Sequence, residues 1–299
     1  MDHPRGGLAG LPTHKEHMMG QAPVVYGQSD RPPRGDYSRA SADYTCAQNY
    51  AAYTEADHLT YHRLYERQSA LLPGLASQHF IDVLPALGAK ERIPRFEEVN
   101  ERLFKATGWE IVGVPGLIPE VPFFSLLAQR KFPVTDWIRK PEEFEYIVEP
   151  DIFHDLFGHV PLLFNPVMAD FIQAYGQGGL KAAELGACEM LSRLYWYTVE
   201  FGLIREGGGV RAYGAGILSS AGELAYSVQS PEPHRLPLQL ERAMRTLYKI
   251  DTYQQTYFVI DDMQQLLDLA STDFAPLYAQ LRQQPTIGAK QLLPGEQLI

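Results

Sequence analysis

Nine histidines occur in this 299-residue sequence, and three pairs of them lie close enough to consider as shared ligands. His14 and His17 fall in a Gly- and Pro-rich opening stretch and are set aside. His58 and His62 have the i, i+4 spacing that puts two imidazoles on one helix face, as zinc sites do. Their motif, HLTYH, lacks the metalloprotease glutamate, so a solvated helix face explains them better. His154 and His159 stand in EPDIFHDLFGHVP. Five residues of ideal α-helix rotate by about 500°, which leaves such a pair roughly 140° apart. Gly158 and Pro161 change that expectation, because they suggest a helix that is ending and a backbone that can re-aim His159. The neighbours Ile152, Phe153, Leu156, Phe157 and Val160 are apolar. Imidazoles buried there need partners, which a metal supplies; two ordinary core histidines are the alternative.

A third group of this kind is Glu200, in RLYWYTVEFGLI. A carboxylate in so apolar a run is costly to bury alone. A salt bridge to Arg193 or Arg205 would satisfy it. So would a metal: two histidines and one carboxylate on separate helices form the facial triad that leaves open positions on Fe(II) for oxygen and a co-substrate. A zinc hydrolase could use the same three ligands.

The elements that must position these residues read as mainly helical. TEADHLTYHRLYERQSALL, SQHFIDVLPALG and RFEEVNERLFKATG carry apolar residues at three- and four-residue steps. VPFFSLLAQRKF, EPDIFHDLFGHVP, PVMADFIQAYGQGG and AAELGACEMLSRLYWYTVEFGLI continue the pattern. WEIVGVPG, GVRAYGAGI and TYFVID read as short strands. The class expected is mainly α with small β elements, without βαβ alternation and without a glycine-rich phosphate loop. Residues 1–45 are rich in Gly, Pro, Arg and Ser and read as a flexible arm, 46–284 as one catalytic domain, and 285–299 as a tail.

Apolar residues make up 45% and charged residues 21% of the chain, ordinary for a globular protein. A formal charge of -10 argues against nucleic acid as a partner. No apolar run approaches the ~18 residues of a membrane span, and the N-terminus lacks a secretory pattern, so a cytoplasmic location is expected. Two cysteines, Cys46 and Cys188, are too few for a disulfide framework and read as free thiols.

Six stretches, ATGWEIVGVPGLIP, RKFPVTDWIR, EPDIFHDLFGHVPLL, RLYWYTVEFGLI, YGAGILSSAGEL and IDTYQQTYFVID, occur in an order and spacing that resembles the pterin-dependent aromatic amino acid hydroxylases. The likeness spans residues 50–283 and is greatest to the short bacterial phenylalanine 4-hydroxylases. It implies a single hydroxylase catalytic domain that binds Fe(II) through His154, His159 and Glu200, takes tetrahydrobiopterin as co-substrate and uses O2 to hydroxylate an aromatic ring. It implies pterin contacts from Gly116, Leu117 and Ile118, with Phe123 stacking and Glu223 nearby. Without it, VPGLIP is a plain turn and Phe123 a core aromatic. It places Arg139 on the substrate carboxylate, oriented by Asp151, with Pro150 and Trp196 around the ring and Ser219 near its backbone end.

The resemblance also bears on the substrate. Relatives act on phenylalanine, tyrosine or tryptophan. Val259 matches an apolar position in the phenylalanine enzymes, and an apolar wall would not welcome a phenol hydroxyl. The expectation is therefore L-phenylalanine to L-tyrosine, with a tyrosine or tryptophan hydroxylase as the alternative. The C-terminal tail has no heptads to form a tetramerisation helix, so a monomer acting on small molecules is expected.

Overall fold

The computed structural model describes residues 34–299 apart from Tyr146 and Val148. Thr54 caps the first long helix, α1 (Glu55–Leu71), in a capping box with Asp57, a device worth about 1 kcal/mol. α2 (Gln78–Val83) and α3 (Phe96–Thr107) follow. The chain then forms β1 (Glu110–Val114), α4 (Glu120–Ala128) and β2 (Lys131–Thr135). β1 and β2 pair in parallel across α4, so a βαβ unit is present where none was expected. The Lys131–Phe132 end of VPFFSLLAQRKF lies in that second strand rather than in the helix. One strand pair with one helix is too short for the alternation pattern to stand out.

α5 (Pro166–Glu184) is capped by Asn165, whose side chain accepts from the Val167 and Met168 amides. α6 (Cys188–Tyr195) begins after a break, so AAELGACEMLSRLYWYTVEFGLI is two helices and not one. The end of that stretch has already left the helix as β3 (Leu203–Glu206). β4 (Gly209–Ala212), α7 (Ala215–Leu218), α8 (Ala221–Gln229), β5 (His234–Pro237), α9 (Leu240–Arg245), β6 (Thr256–Ile260), α10 (Gln264–Ala270) and α11 (Phe274–Leu281) complete the chain. The second sheet has the order β4-β3-β6-β5. Helices dominate, and the two small sheets sit among them around a main core that includes Trp109, Phe153, Phe157, Tyr197 and Phe258, with a small second cluster of Val114, Ile118 and Leu126.

Two short turns are π-helical, His154–His159 and Trp196–Glu200. Between them they carry all three sequence-predicted metal ligands. The two ends of the described residues are tied as well as the middle. Tyr37 Oη donates to the Leu117 carbonyl at 2.7 Å, the Arg39 guanidinium pairs with Asp136 at 2.6 Å, and Arg242 pairs with Glu296 at 2.6 Å. Cys46 and Cys188 are free and half-buried. Among the described residues no helix is long and apolar enough to cross a membrane.

Candidate active site

The π turn at His154–His159 overturns the expected geometry of the histidine pair. In a π turn the backbone hydrogen bond runs i→i+5, which stacks residues five apart on one face. His154 Nε2 and His159 Nε2 accordingly face each other at 3.2 Å. The helix does not end at Gly158; it runs on into a 3₁₀ turn over Val160–Phe164. Gly158 serves packing instead, since a Cβ there would stand 2.8 Å from the Ala215 carbonyl oxygen of α7.

Glu200 closes the cluster from the second π turn, with Oε1 3.1 Å from His159 Nε2 and Oε2 3.6 Å from His154 Nε2. The salt-bridge alternatives do not hold: Arg193 pairs with Glu189, and Arg205 pairs with Asp261 at 3.0 Å. Burial lowers the His154 pKa to about 4, against the opposing charge of Glu200. His159 is raised, because the charge and hydrogen bond of Glu200 outweigh the cost of burial. Glu200 is lowered in turn, burial being outweighed by His159. Three donor atoms this close, two of them imidazole nitrogens nose to nose, need a shared proton or a cation between them. Ligands about 2.1 Å from one metal on one face stand about 3 Å apart, so the donor set fits a metal ion.

Asp155 belongs to the same cluster. Donor atoms of His154, Asp155 and His159 all lie within 4.8 Å of one another. However, Asp155 Oδ2 already accepts the Thr135 amide at 2.7 Å, and Glu200 approaches the Nε2 atoms directly. Burial raises the Asp155 carboxyl to about 7. Sequence reasoning missed this residue, although a carboxylate in the apolar HDLFGH run carried the same signal that singled out Glu200.

The cluster opens into a cavity of about 350 Å³, a size suited to small organic ligands. Gly116, Leu117, Ile118, Phe123, Arg139, Pro150, Trp196, Ser219 and Glu223 all line it with the three metal-ligand candidates. Asp151 lies behind the wall, fully buried. It accepts from Arg139 Nε at 2.8 Å, Arg139 Nη2 at 2.9 Å, the Arg139 amide at 2.9 Å and the His154 amide at 3.0 Å. One carboxylate therefore fixes the guanidinium and the start of the π turn together. Ser219 Oγ contacts His154 Nδ1 at 2.8 Å and so helps set that imidazole's tautomer. Val259 is not among the lining residues: it is buried in β6, paired with Leu203 and Pro237. His58 is buried against Tyr50 and Tyr53 rather than solvated, whereas His62 sits at the surface beside Glu66. His14 and His17 lie outside the described residues.

The loop at Gly116 is held closely from outside. A Cβ on Gly116 would stand 2.9 Å from both Glu149 Oε1 and Tyr37 Oη. Trp137 Nε1 donates to the Pro115 carbonyl at 3.1 Å. Glu149 Oε1 is buried at the cavity without a hydrogen-bond partner among the described residues, as suits a ligand rich in N–H donors such as a pterin.

The sequence matches the family model for biopterin-dependent aromatic amino acid hydroxylases over residues 16–277. The chain belongs to this family. Its pterin dependence and its single catalytic domain are thus those of a biopterin-dependent hydroxylase. The chain is 55% identical over 258 residues to phenylalanine-4-hydroxylase of Ralstonia nicotianae, covering 86% of this chain and 82% of the relative. It is 53% identical over 260 residues to phenylalanine-4-hydroxylase of Chromobacterium violaceum, covering 87% and 88%. The crystal structure of the Chromobacterium violaceum phenylalanine hydroxylase with bound oxidised Fe(III) superposes with a TM-score of 0.85 at 53% identity, covering 87% of this chain and 95% of that one. A cobalt-bound structure of the same hydroxylase aligns with the same TM-score.

Proposed function

We propose that the chain is a phenylalanine 4-monooxygenase that converts L-phenylalanine to L-tyrosine, with Fe(II) held by His154, His159 and Glu200 and tetrahydrobiopterin as co-substrate. The observation that carries the reading is the convergence of three donors from two π turns at the floor of one cavity. Further support comes from the relatives named phenylalanine-4-hydroxylase and from the iron in one of their structures. Bound iron would activate O2 and a tetrahydropterin would supply two electrons, so that one oxygen atom enters the ring and the other ends as water.

The chain's own residues bind and orient. Arg139 takes the amino acid carboxylate: the Asp151 contacts use Nε and Nη2, and Nη1 is the donor they leave over. Pro150 and Trp196 flank the aromatic ring, and Ser219 holds His154 from behind while lying near the substrate's backbone end. Phe123 stacks on the pterin, the Gly116–Ile118 backbone offers its polar groups to the pterin edge, and Glu223 borders that pocket. Apolar side chains such as Phe132 and Phe201 exclude water around the reacting centre.

The catalytic unit is residues 46–284, between an arm (1–45) and a tail (285–299). Every cavity-lining residue falls between Val114 and Gln254, which supports this division. The enzyme acts as a cytoplasmic monomer in phenylalanine breakdown; sedimentation that does not change with concentration checks the monomer. The central test incubates the protein with Fe(II), a tetrahydropterin, O2 and each of phenylalanine, tyrosine and tryptophan, and identifies products by mass spectrometry. Tyrosine from phenylalanine at the highest rate is the expected result. Faster turnover of another amino acid, or full zinc occupancy without iron-restored oxidation, overturns the reading.

A further inference from the structure

Between α9 and β6 the chain runs with neither helix nor strand, yet Tyr248, Ile250, Thr252, Tyr253 and Gln254 line the cavity. A segment of this kind keeps one conformation only if its polar backbone groups find partners. One side chain in the loop supplies several of them. Gln254 is 3% exposed. Its Nε2 donates to the Lys249 carbonyl at 2.8 Å and the Thr252 carbonyl at 3.2 Å, folding the loop onto itself. Its Oε1 accepts the Trp196 indole N–H at 3.0 Å. Its backbone amide donates to Glu223 Oε1 at 3.0 Å, an atom that also accepts Tyr257 Oη at 2.8 Å.

The amide has only one orientation that works. An indole N–H can only donate and two carbonyls can only accept, so oxygen must face Trp196 and nitrogen must face the loop. Glutamate would turn a second oxygen toward two carbonyl oxygens. Asparagine is one methylene too short to reach both sides. Leucine would leave the half-buried indole N–H and two carbonyls without these partners.

Trp196 is the other half of the relationship. Its ring stacks on Tyr248 with centroids 4.1 Å apart and planes 11° apart, and leans on Phe201 at 4.6 Å. It also opens the π turn that ends at Glu200. The tilt of the indole, the fold of the loop and the start of the Glu200 turn therefore meet at one amide.

We propose that Gln254 is a positioning residue that sets the Trp196 indole against the bound aromatic ring, and thereby decides whether the ring or water occupies the place next to the reacting centre. This rests on the function proposed above. Its consequence is specific: when the clamp is loosened, the tetrahydropterin is oxidised without ring hydroxylation, its two electrons reducing O2 to hydrogen peroxide. The chemical class it reads is a flat, uncharged aromatic side chain.

The test uses the iron-loaded enzyme and the variants Gln254→Leu and Gln254→Glu, the second nearly isosteric in case the first folds poorly. Losing a hydrogen bond of this kind is expected to change the outcome by about two- to tenfold. Tyrosine formed per pterin oxidised should fall by that factor and the amino acid KM should rise, with the pterin KM within twofold of the parent. In a Trp196→Phe background, which removes the indole N–H but keeps an aromatic wall, Gln254→Leu should add nothing further. Unchanged coupling with only a lower Tm, or full additivity with Trp196→Phe, overturns the proposal. Near-ultraviolet circular dichroism of the protein without substrates provides a separate readout. Both Gln254 variants should remove the band that Trp196→Phe removes, and a band left intact overturns the clamp whether or not phenylalanine is the substrate.

Discussion

Arg139 and Asp151 form a two-pronged ion pair in the wall of the cavity, with Nε to Oδ2 at 2.8 Å and Nη2 to Oδ1 at 2.9 Å. The aspartate is wholly buried, and Arg139 is 3% exposed. Burial alone would raise the Asp151 carboxyl, but the charge and hydrogen bonds of Arg139 outweigh it and hold the group below its ordinary value. Breaking a buried pair on one side typically costs about 3–5 kcal/mol. Asp151→Asn should therefore lower Tm strongly. Because the folded-state pKa is depressed, the pair's contribution is present above the ordinary 3.8 and is lost as pH falls below it. Acid unfolding of the parent and of Asp151→Asn, followed by circular dichroism, should converge at low pH.

Arg139→Lys separates substrate binding from pterin binding. A lysine keeps the charge but has no planar fork to meet Asp151 and a ligand carboxylate together. The amino acid KM should rise by tenfold or more, on the order of the 1.4 kcal/mol that a tenfold change represents, while the pterin KM stays nearly constant. Equal losses for both would remove Arg139 from the carboxylate site.

Glu200 and Asp155 make competing claims on the third ligand position, and metal analysis decides between them. Glu200→Gln should lose iron after dialysis, as should His154→Ala and His159→Ala, because each removes one of the three proposed charged or imidazole ligands. Asp155→Asn should keep iron, since that carboxylate is engaged with the Thr135 amide. Adding Fe(II) should also raise the Tm of the parent, by the mass-action stabilisation of a ligand that binds only the folded state, and leave the Glu200→Gln Tm unmoved.

Burial lifts the Glu223 carboxyl to about 7 from an ordinary 4.5, against the hydrogen bonds from the Gln254 amide and Tyr257. A raised folded-state pKa makes the protonated acid the favoured form. Its stabilising contribution is complete below pH 4.5 and is lost as pH rises through about 7. Glu223→Gln retains an oxygen that accepts both hydrogen bonds without the charge. The variant should match the parent in urea denaturation at low pH and exceed it above pH 7. A parallel pH dependence for the two proteins would refute this account.

Tyr37 ties the segment before α1 to the Gly116–Ile118 loop, proposed above to hold the pterin, through the Leu117 carbonyl at 2.7 Å. Tyr37→Phe keeps the ring and removes about 1 kcal/mol of hydrogen bonding. The pterin KM should rise about fivefold, while metal content and the amino acid KM stay near those of the parent.

Much of this protein is written locally in its sequence. Thr54 and Asp57 fix the start of α1, Asn165 fixes the start of α5, and a carboxylate as isolated as Glu200 announces that it needs a partner, because capping and burial costs depend on neighbours within a few residues. Local features did not decide the ligand geometry. Spacing at 3.6 residues per turn separates His154 from His159, whereas the folded chain, packed against α7 and β2 and anchored at Asp151, holds a π turn that brings their nitrogens to 3.2 Å. The same holds for the short β1–α4–β2 unit, and for Gln254, whose partners Trp196 and Glu223 are 58 and 31 residues away. Such contacts form only once the core closes, so residue type and sequence separation could name the actors at the site but could not place them.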